Sequence, residues 1–326
     1  MLRSLSVIVV ALLWYYLSSR IQVPNMAPIK NVAVIGGSGN VGKAIVQELL
    51  AAGFVVTALT RSSSSSTFPD GVKVKKVDYE SIDSLKEAFG GQDVVVSAIA
   101  TPAVQGQKTI IDAAIAAGVK RFIPSEFGIN TRITGGTAIG KILSGKVAIV
   151  DYLDEKSKSN PEVTWTGVST GLFFDWGLDN IASVDFDNKT VRVVDSGNEK
   201  FQASNLKYIG KAVASILKHP DQTANKYLSV ASFNVSHNEI IKVVEELTGT
   251  TFTVDRVDSE ELQKLGEEKL SKGDFSAFLP LLQRWNFADG KGHAVKPGDS
   301  ADELLELPKD DLKESIRAWL TKNGRL

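Results

Sequence analysis

From residue 31 onward, short apolar runs alternate with stretches in which apolar residues recur at helical spacing. Residues 32–35 are the first run, and Val41, Ile45 and Leu49 then fall on one face of a helix that Gly53 closes. Residues 54–60 (F-V-V-T-A-L-T) predict a second strand and 72–77 a weaker third. Ile82, Leu85 and Phe89 mark a second helix, 93–99 (D-V-V-V-S-A-I) a fourth strand, and Ile110, Ile111 and Ala114 a third helix. A fifth strand at 120–124, a helix over 137–157 and a sixth strand at 163–168 complete the series. Strands that are apolar throughout, separated by amphipathic helices, bury both faces of a parallel sheet. With right-handed crossovers, the expected fold over 26–170 is α/β: a doubly wound parallel sheet of the Rossmann type.

Past Gly171 the alternation loosens. Residues 189–195 (K-T-V-R-V-V-D) and 226–232 (K-Y-L-S-V-A-S) predict strands, and Leu206, Ile209, Val213, Ile216 and Leu217 share one face of a helix between them. Further helices are expected at 237–248, 259–271 and 309–322. The segment F-L-P-L-L-Q-R-W-N-F at 278–287 is apolar and aromatic but has no clear period. Residues 171–326 are expected to form a smaller α+β, substrate-binding region over the sheet's carboxyl edge, with part of 189–233 completing the sheet. The serines at 62–66 predict a flexible loop.

Composition narrows the chemistry. The 326 residues are 43% hydrophobic and 23% charged, with a net charge of −1. That balance offers no basic field for nucleic acid and no polybasic membrane patch. Cysteine is absent, which removes disulfides, thiolate catalysis and Cys-ligated metals. The imidazoles are His219, His237 and His293; the first two sit at predicted helix ends, and no metal site is expected.

The first 25 residues stand apart, with a basic start, an apolar core and an arginine stop (M-L-R-S-L-S-V-I-V-V-A-L-L-W-Y-Y-L-S-S-R). The core is short for a membrane span, which needs about 20 residues. The simplest expectation takes Met26 as the physiological start, because M-A-P-I-K-N-V-A-V-I-G-G runs straight into the first strand. A membrane anchor facing the cytosol ranks second and an export signal third. A cytoplasmic protein is expected, with membrane contact only if residues 1–25 are retained.

Gly36, Gly39 and Gly42 give G-x-x-G-x-x-G between the first strand and its helix. Lacking side chains, such a turn lets backbone approach a pyrophosphate, and the helix N-terminus offers it free N–H groups and a positive dipole end. Placement at the head of a βαβ unit makes the pattern specific. The predicted cradle is Gly36, Gly37, Ser38, Gly39, Asn40, Val41 and Gly42, with the glycine spacing of short-chain dehydrogenases. The second strand ends Leu59-Thr60-Arg61, with no Asp or Glu before Asp70 to accept from a ribose 2′-hydroxyl. Arg61 instead presents a planar fork suited to a 2′-phosphate, which favours NADPH over NADH.

Short-chain dehydrogenases carry Tyr-x-x-x-Lys on the helix after strand five. The literal match here, Tyr152 to Lys156, falls at the end of that helix far from the ligand edge and is expected to be a solvated helix terminus. Lys146 is better placed, and Ile142 occupies the tyrosine position before it. It would act alone, as an ammonium that donates a proton or fixes a substrate oxygen, with its pKa lowered by partial burial. Lys141 is the alternative lysine.

The glycine run at 36–42, Gln107, the stretch A-G-V-K-R-F-I-P-S-E-F-G at 117–128 and the lone Lys146 resemble the NmrA-like, isoflavone reductase-like group of atypical short-chain dehydrogenases. The likeness covers most of 29–290. It implies an NADPH-dependent reductase of phenylpropanoid-type aromatics, or of secondary metabolites in fungal members. It also implies that Lys146 is the catalytic lysine and also meets the cofactor, that Gln107 is the group's glutamine at the cofactor, and that Ser97 and Ala98 contact the cofactor at the end of strand four. Thr131 stands where plant members carry acidic residues, and G-L-F-F-D-W at 171–176 replaces their N-C-F pattern, which leaves the substrate open.

The run at 124–128 leaves strand five at the sheet's carboxyl edge, where such folds bind ligands. Phe127, Phe173 and Phe174, with Trp176, are expected either to wall an aromatic substrate or to pack in the core. Glu126 is expected to tie its loop down rather than to act as an acid. The reaction expected is hydride transfer from NADPH to an electron-poor carbon conjugated to an aromatic ring, in a phenylpropanoid-like or polyketide-type small molecule; a homodimer is left open. The alternative from another class is an NADP(H)-binding, redox-sensing regulator without turnover, against which Lys146 tilts. The absence of tyrosine at 142 disfavours a nucleotide-sugar epimerase.

Overall fold

The computed structural model describes residues 28–178 and 183–326, so the apolar segment at 1–25 lies outside the described residues. The first half of the chain alternates strand and helix: β1 (Asn31–Ile35), α1 (Asn40–Ala51), β2 (Val55–Arg61), β3 (Lys73–Val77), α2 (Ile82–Phe89), β4 (Val94–Ser97), α3 (Gln107–Ala116), β5 (Arg121–Ile123), α4 (Ala138–Ser159) and β6 (Thr164–Ser169). The second half adds β7 (Leu172–Phe173), β8 (Val184–Asp185), β9 (Thr190–Val194), β10 (Phe201–Ser204), α5 (Leu206–Lys218), α6 (Pro220–Thr223) and β11 (Lys226–Ser229). It ends with β12 (Phe233–Val235), α7 (His237–Thr248), β13 (Thr253–Val257), α8 (Ser259–Ser271), α9 (Phe278–Phe287) and α10 (Leu312–Lys322).

Seven strands form one parallel sheet in the order β3-β2-β1-β4-β5-β6-β11. Alternation along β1 shows why its sequence is apolar throughout. Val32 and Val34 enter the core shared with Ile45 and Leu49 of α1 and Ile209 and Val213 of α5. Ala33 and Ile35 enter the opposite core, shared with Leu85 and Phe89 of α2, Ile111 of α3 and Ile149 of α4. A strand buried on both faces has no polar position to spare. On the first face, α5 packs against α1 at Gly210, where a Cβ would fall 2.5 Å from the carbonyl oxygen of Ala44. Ile82, expected on the inner face of α2, is 50% exposed.

The strands expected at 189–195 and 226–232 both form, but in different sheets. β11 extends the main sheet beside β6, whereas β9 lies between β8 and β13 in a three-stranded sheet of its own. A second small sheet, β12-β10-β7, stands next in the chain's C-terminal half. The small sheets share a core with α7 and α10, in which Phe174, Val193, Phe201, Ile240 and Leu320 are buried. The periodless segment at 278–287 is helix α9. One side of α9, Leu281 and Trp285, packs on Ile139 and Leu143 of α4, and its other apolar side chains face a cavity. A helix apolar on two sides shows no amphipathic period. Among the described residues, no helix is long and apolar enough to cross a membrane.

Phe174 is fully buried, with its ring centroid 4.9 Å from that of Phe233. Phe174→Ala is expected to lower the unfolding free energy by about 3–5 kcal/mol in a urea titration. An unchanged midpoint would show that this ring does not anchor the second core.

Candidate functional site

The turn after β1 is shaped by two close approaches. Gly36 adopts φ +75°, and a Cβ there would lie 2.4 Å from the Ala98 carbonyl oxygen; a Cβ on Gly42 would lie 2.1 Å from the Gly36 oxygen. The loop thus lies against the end of β4 and closes on itself, which only glycine allows. Gly37 is buried, while Ser38, Gly39, Asn40 and Val41 reach the surface to differing degrees. No side chain caps α1 at Gly39, and the amides of Asn40 and Val41 have no acceptor among the described residues. Four amides at a helix start lack partners within the helix, so an uncapped start leaves donors for an anion.

Ser97 ends β4 directly opposite Ile35, and its fully buried hydroxyl has no hydrogen-bond partner among the described residues. Ala98 donates its amide to Ile35, 2.9 Å away, which fixes the two strand ends together. Arg61 ends β2 in solvent with no ion pair among the described residues. The residues present therefore suit a dinucleotide: a glycine turn, unpaired amides, a buried orphan hydroxyl and a free guanidinium at one sheet edge.

Gln107 is placed differently from the expectation of a cofactor contact. It is 1% exposed; its Oε1 accepts the Ser125 amide at 3.0 Å, and its Nε2 lies 3.5 Å from the Val104 carbonyl oxygen. Ser125 in turn donates its hydroxyl to the Ile99 carbonyl at 2.6 Å. Gln107 accordingly holds the segments after β4 and β5 in register.

Beyond that edge lies a cavity of about 500 Å³. Thr101 after β4, residues 127–129 after β5 and Gly171 after β6 contribute to its floor, and α9 contributes its roof. Its walls are apolar, with Phe127, Leu143, Phe173, Phe278 and Leu282 prominent. Trp176 stands at the rim, 56% exposed and edge-on to Phe173 at 6.5 Å. Phe174, expected either to wall the substrate or to pack in the core, does the latter and does not line the cavity.

Lys146 is the one charged side chain among the described residues lining this cavity. It is 8% exposed and has no hydrogen bond or ion pair among the described residues. Burial pushes its pKa below the ordinary lysine value, and the nearby Glu126 carboxylate pulls it partly back up. Lys141, the alternative, faces solvent. Tyr152 and Lys156 are held away from the cavity by Asp112 of α3: the tyrosine donates to it at 2.7 Å and the lysine pairs with it at 2.8 Å. They are more fully partnered than a solvated terminus would be.

Glu126 ties down its loop, as expected, and with more partners than the sequence indicated. Only 1% exposed, it accepts hydrogen bonds from the Thr131 hydroxyl and from Tyr227 on β11 at 2.8 Å. Thr131 also lines the cavity. Tyr227 and Gln283, a cavity-lining amide on α9, carried no sequence signal, since neither belongs to a local motif.

A doubly wound α/β chain with its pocket at the carboxyl edge of a parallel sheet is the class these features define. The chain belongs to the NmrA-like family, whose sequence model matches residues 28–279. It is 37% identical over 295 residues to the oxidoreductase aprR of Aspergillus flavus, an alignment that covers 89% of this chain and 98% of that one. It is 30% identical over 253 residues to the isoflavone reductase homolog IRL of Zea mays, covering 73% and 80% of the two chains. Among solved structures, AtPrR2 with NADP+ and (+)pinoresinol superposes with a TM-score of 0.75 at 22% identity, over 90% of this chain and 100% of that one, a likeness of fold.

Replacing Lys146 tests the energetic reading directly. Burial disfavours its ammonium in the folded chain and Glu126 offsets only part of that, so the stability of the wild type relative to Lys146→Met is expected to depend on pH. Between the lowered folded pKa and the ordinary value of 10.5, the unfolded chain binds more protons than the folded one. Wild-type stability therefore rises with pH relative to the variant across that window, and should level off above it in thermal melts.

Proposed function

We propose that this chain is an NADPH-dependent reductase that delivers hydride to an electron-poor carbon conjugated to an aromatic ring. The observation that carries the reading is Lys146: an amine without a hydrogen-bond partner among the described residues, in the wall of a mainly apolar cavity. The names of the relatives above support a reductase, and the uncapped glycine turn supports the cofactor assignment. In this reading the free amides of Asn40 and Val41, at the glycine turn, receive the pyrophosphate, and Arg61 pairs with the 2′-phosphate. Ser97 and Ala98 border the cofactor, and Gln107 acts on it through Ser125. NADPH, when bound, supplies the hydride. Lys146 binds the substrate oxygen that gains electron density and gives it a proton, while Phe127 and Phe173 hold the ring and exclude water.

NADPH oxidation with a panel of isoflavones, quinones and enones tests this. Lys146→Ala is expected to reduce turnover on the order of 10²–10⁴-fold while NADPH binding persists. Tight NADPH binding without turnover by the unaltered chain would instead favour a redox-sensing regulator. Arg61→Ala is expected to weaken NADPH binding by about tenfold or more, and to leave NADH binding unchanged, in titrations by fluorescence.

A further inference from the structure

The lysine in the cavity is only half of a buried charged arrangement. Glu126 lies behind the cavity wall, and both of its hydrogen bonds converge on Oε2, from Thr131 and from Tyr227. Tyr227 also accepts the Thr131 amide at 3.3 Å, so the carboxylate, the tyrosine and the threonine brace one another. Oε1 takes no hydrogen bond among the described residues. Thr131 and Lys146 line the same cavity, which leaves the carboxylate one side chain back from the lumen that holds the amine.

Resting on the reading of Lys146 given above, the geometry points to Glu126 as a positioning residue that keeps the Lys146 amine in its ammonium form. The physical case is simple. An amine in an apolar lumen sheds its proton readily unless a fixed negative charge stands nearby. A carboxylate with its own hydrogen-bond donors supplies that charge without entering the cavity or blocking it. Facing Lys146, Glu126 is the charged group, and α9 adds no charged side chain to the cavity lining. Facing Glu126 are Lys146, Tyr227 and Arg132, the last of which pairs with Asp151 at the surface. Burial raises the Glu126 pKa, and the lysine, the two hydroxyls and Arg132 oppose that rise.

The test uses the full chain labelled with ¹³Cε-lysine, the Lys146 resonance being assigned by its loss in Lys146→Arg. In Glu126→Gln the Lys146 midpoint is expected to fall by about one pH unit or more. Tyr227→Phe keeps the charge and is expected to move it less. The alkaline limb of NADPH oxidation should move to lower pH in parallel, because the proton donor is lost as pH rises through that midpoint. The unaltered chain offers a check that needs no variant: its Lys146 resonance should show a second, acidic step as Glu126 takes up a proton. An unchanged midpoint in folded Glu126→Gln, or the absence of the acidic step, overturns the proposal. Both steps present in a chain that reduces no acceptor would sustain it and sink the reductase reading instead.

Discussion

An amine buried in an apolar cavity without a hydrogen bond destabilises the fold that contains it, and much of this molecule serves to keep Lys146 there. The long helix α4 carries it, capped at its start by the Thr137 side chain on the Gly140 amide. α9 packs across the first turns of α4 through Leu281 and Trp285, so the helix cannot tilt to release the amine to water. The floor comes from loops that follow β4, β5 and β6. Fully buried parallel strands give those loops fixed origins, because a strand held on both faces cannot slide.

The loops are also bound to one another. Gln107 reaches from the start of α3 to the Ser125 amide, and Ser125 reaches back to Ile99. The Gly128 carbonyl accepts the amides of both Thr170 and Gly171, at 2.9 Å each, which joins the β5 and β6 loops beneath the cavity. These bonds run mainly to backbone, so they survive changes of side chain on the lumen face. Such an edge can vary its wall residues while holding the glycine turn and the amine in constant relation, which proton donation in concert with hydride transfer requires.

The doubly wound sheet was legible because its strands are mostly apolar runs separated by amphipathic helices, even where, as in β4 and β5, they are only four and three residues long. Of the small sheets only β9 was. β10 and β12 interrupt their apolar residues with Gln202, Ser204 and Asn234, and β7 has only two residues. α9 hid for the opposite reason, being apolar on the side that meets α4 and on the side that meets the cavity. The glycine turn, Arg61 and Lys146 could be located from spacing because each follows a recognisable strand or lies on a recognisable helix. Tyr227 and Gln283 could not, since they reach the site only through tertiary packing of β11 and α9. Phe173 and Phe174 mark the limit of such reasoning. Phe173, ending β7, faces the cavity, and Phe174, in the turn that follows, enters the second core, a difference no local period encodes.

The wall chemistry constrains what the cavity accepts under the proposed reading. Lys146 has no counter-ion in the lumen, so a cationic ligand would add repulsion to the desolvation both charges suffer. A phosphorylated or multiply charged acid would find one ammonium, two threonine hydroxyls, the Gln283 amide and otherwise apolar side chains, too little to replace its hydration. A neutral ligand with a carbonyl conjugated to its ring suits both halves of the surface. Its apolar face replaces water against the aromatic wall, and its oxygen gives the ammonium the acceptor it lacks. As that oxygen gains charge during hydride addition, the same contact strengthens, so the interaction favours the transition state over the bound ground state. A buried amine that weakens the resting fold is, on this argument, the group that makes the loaded site selective.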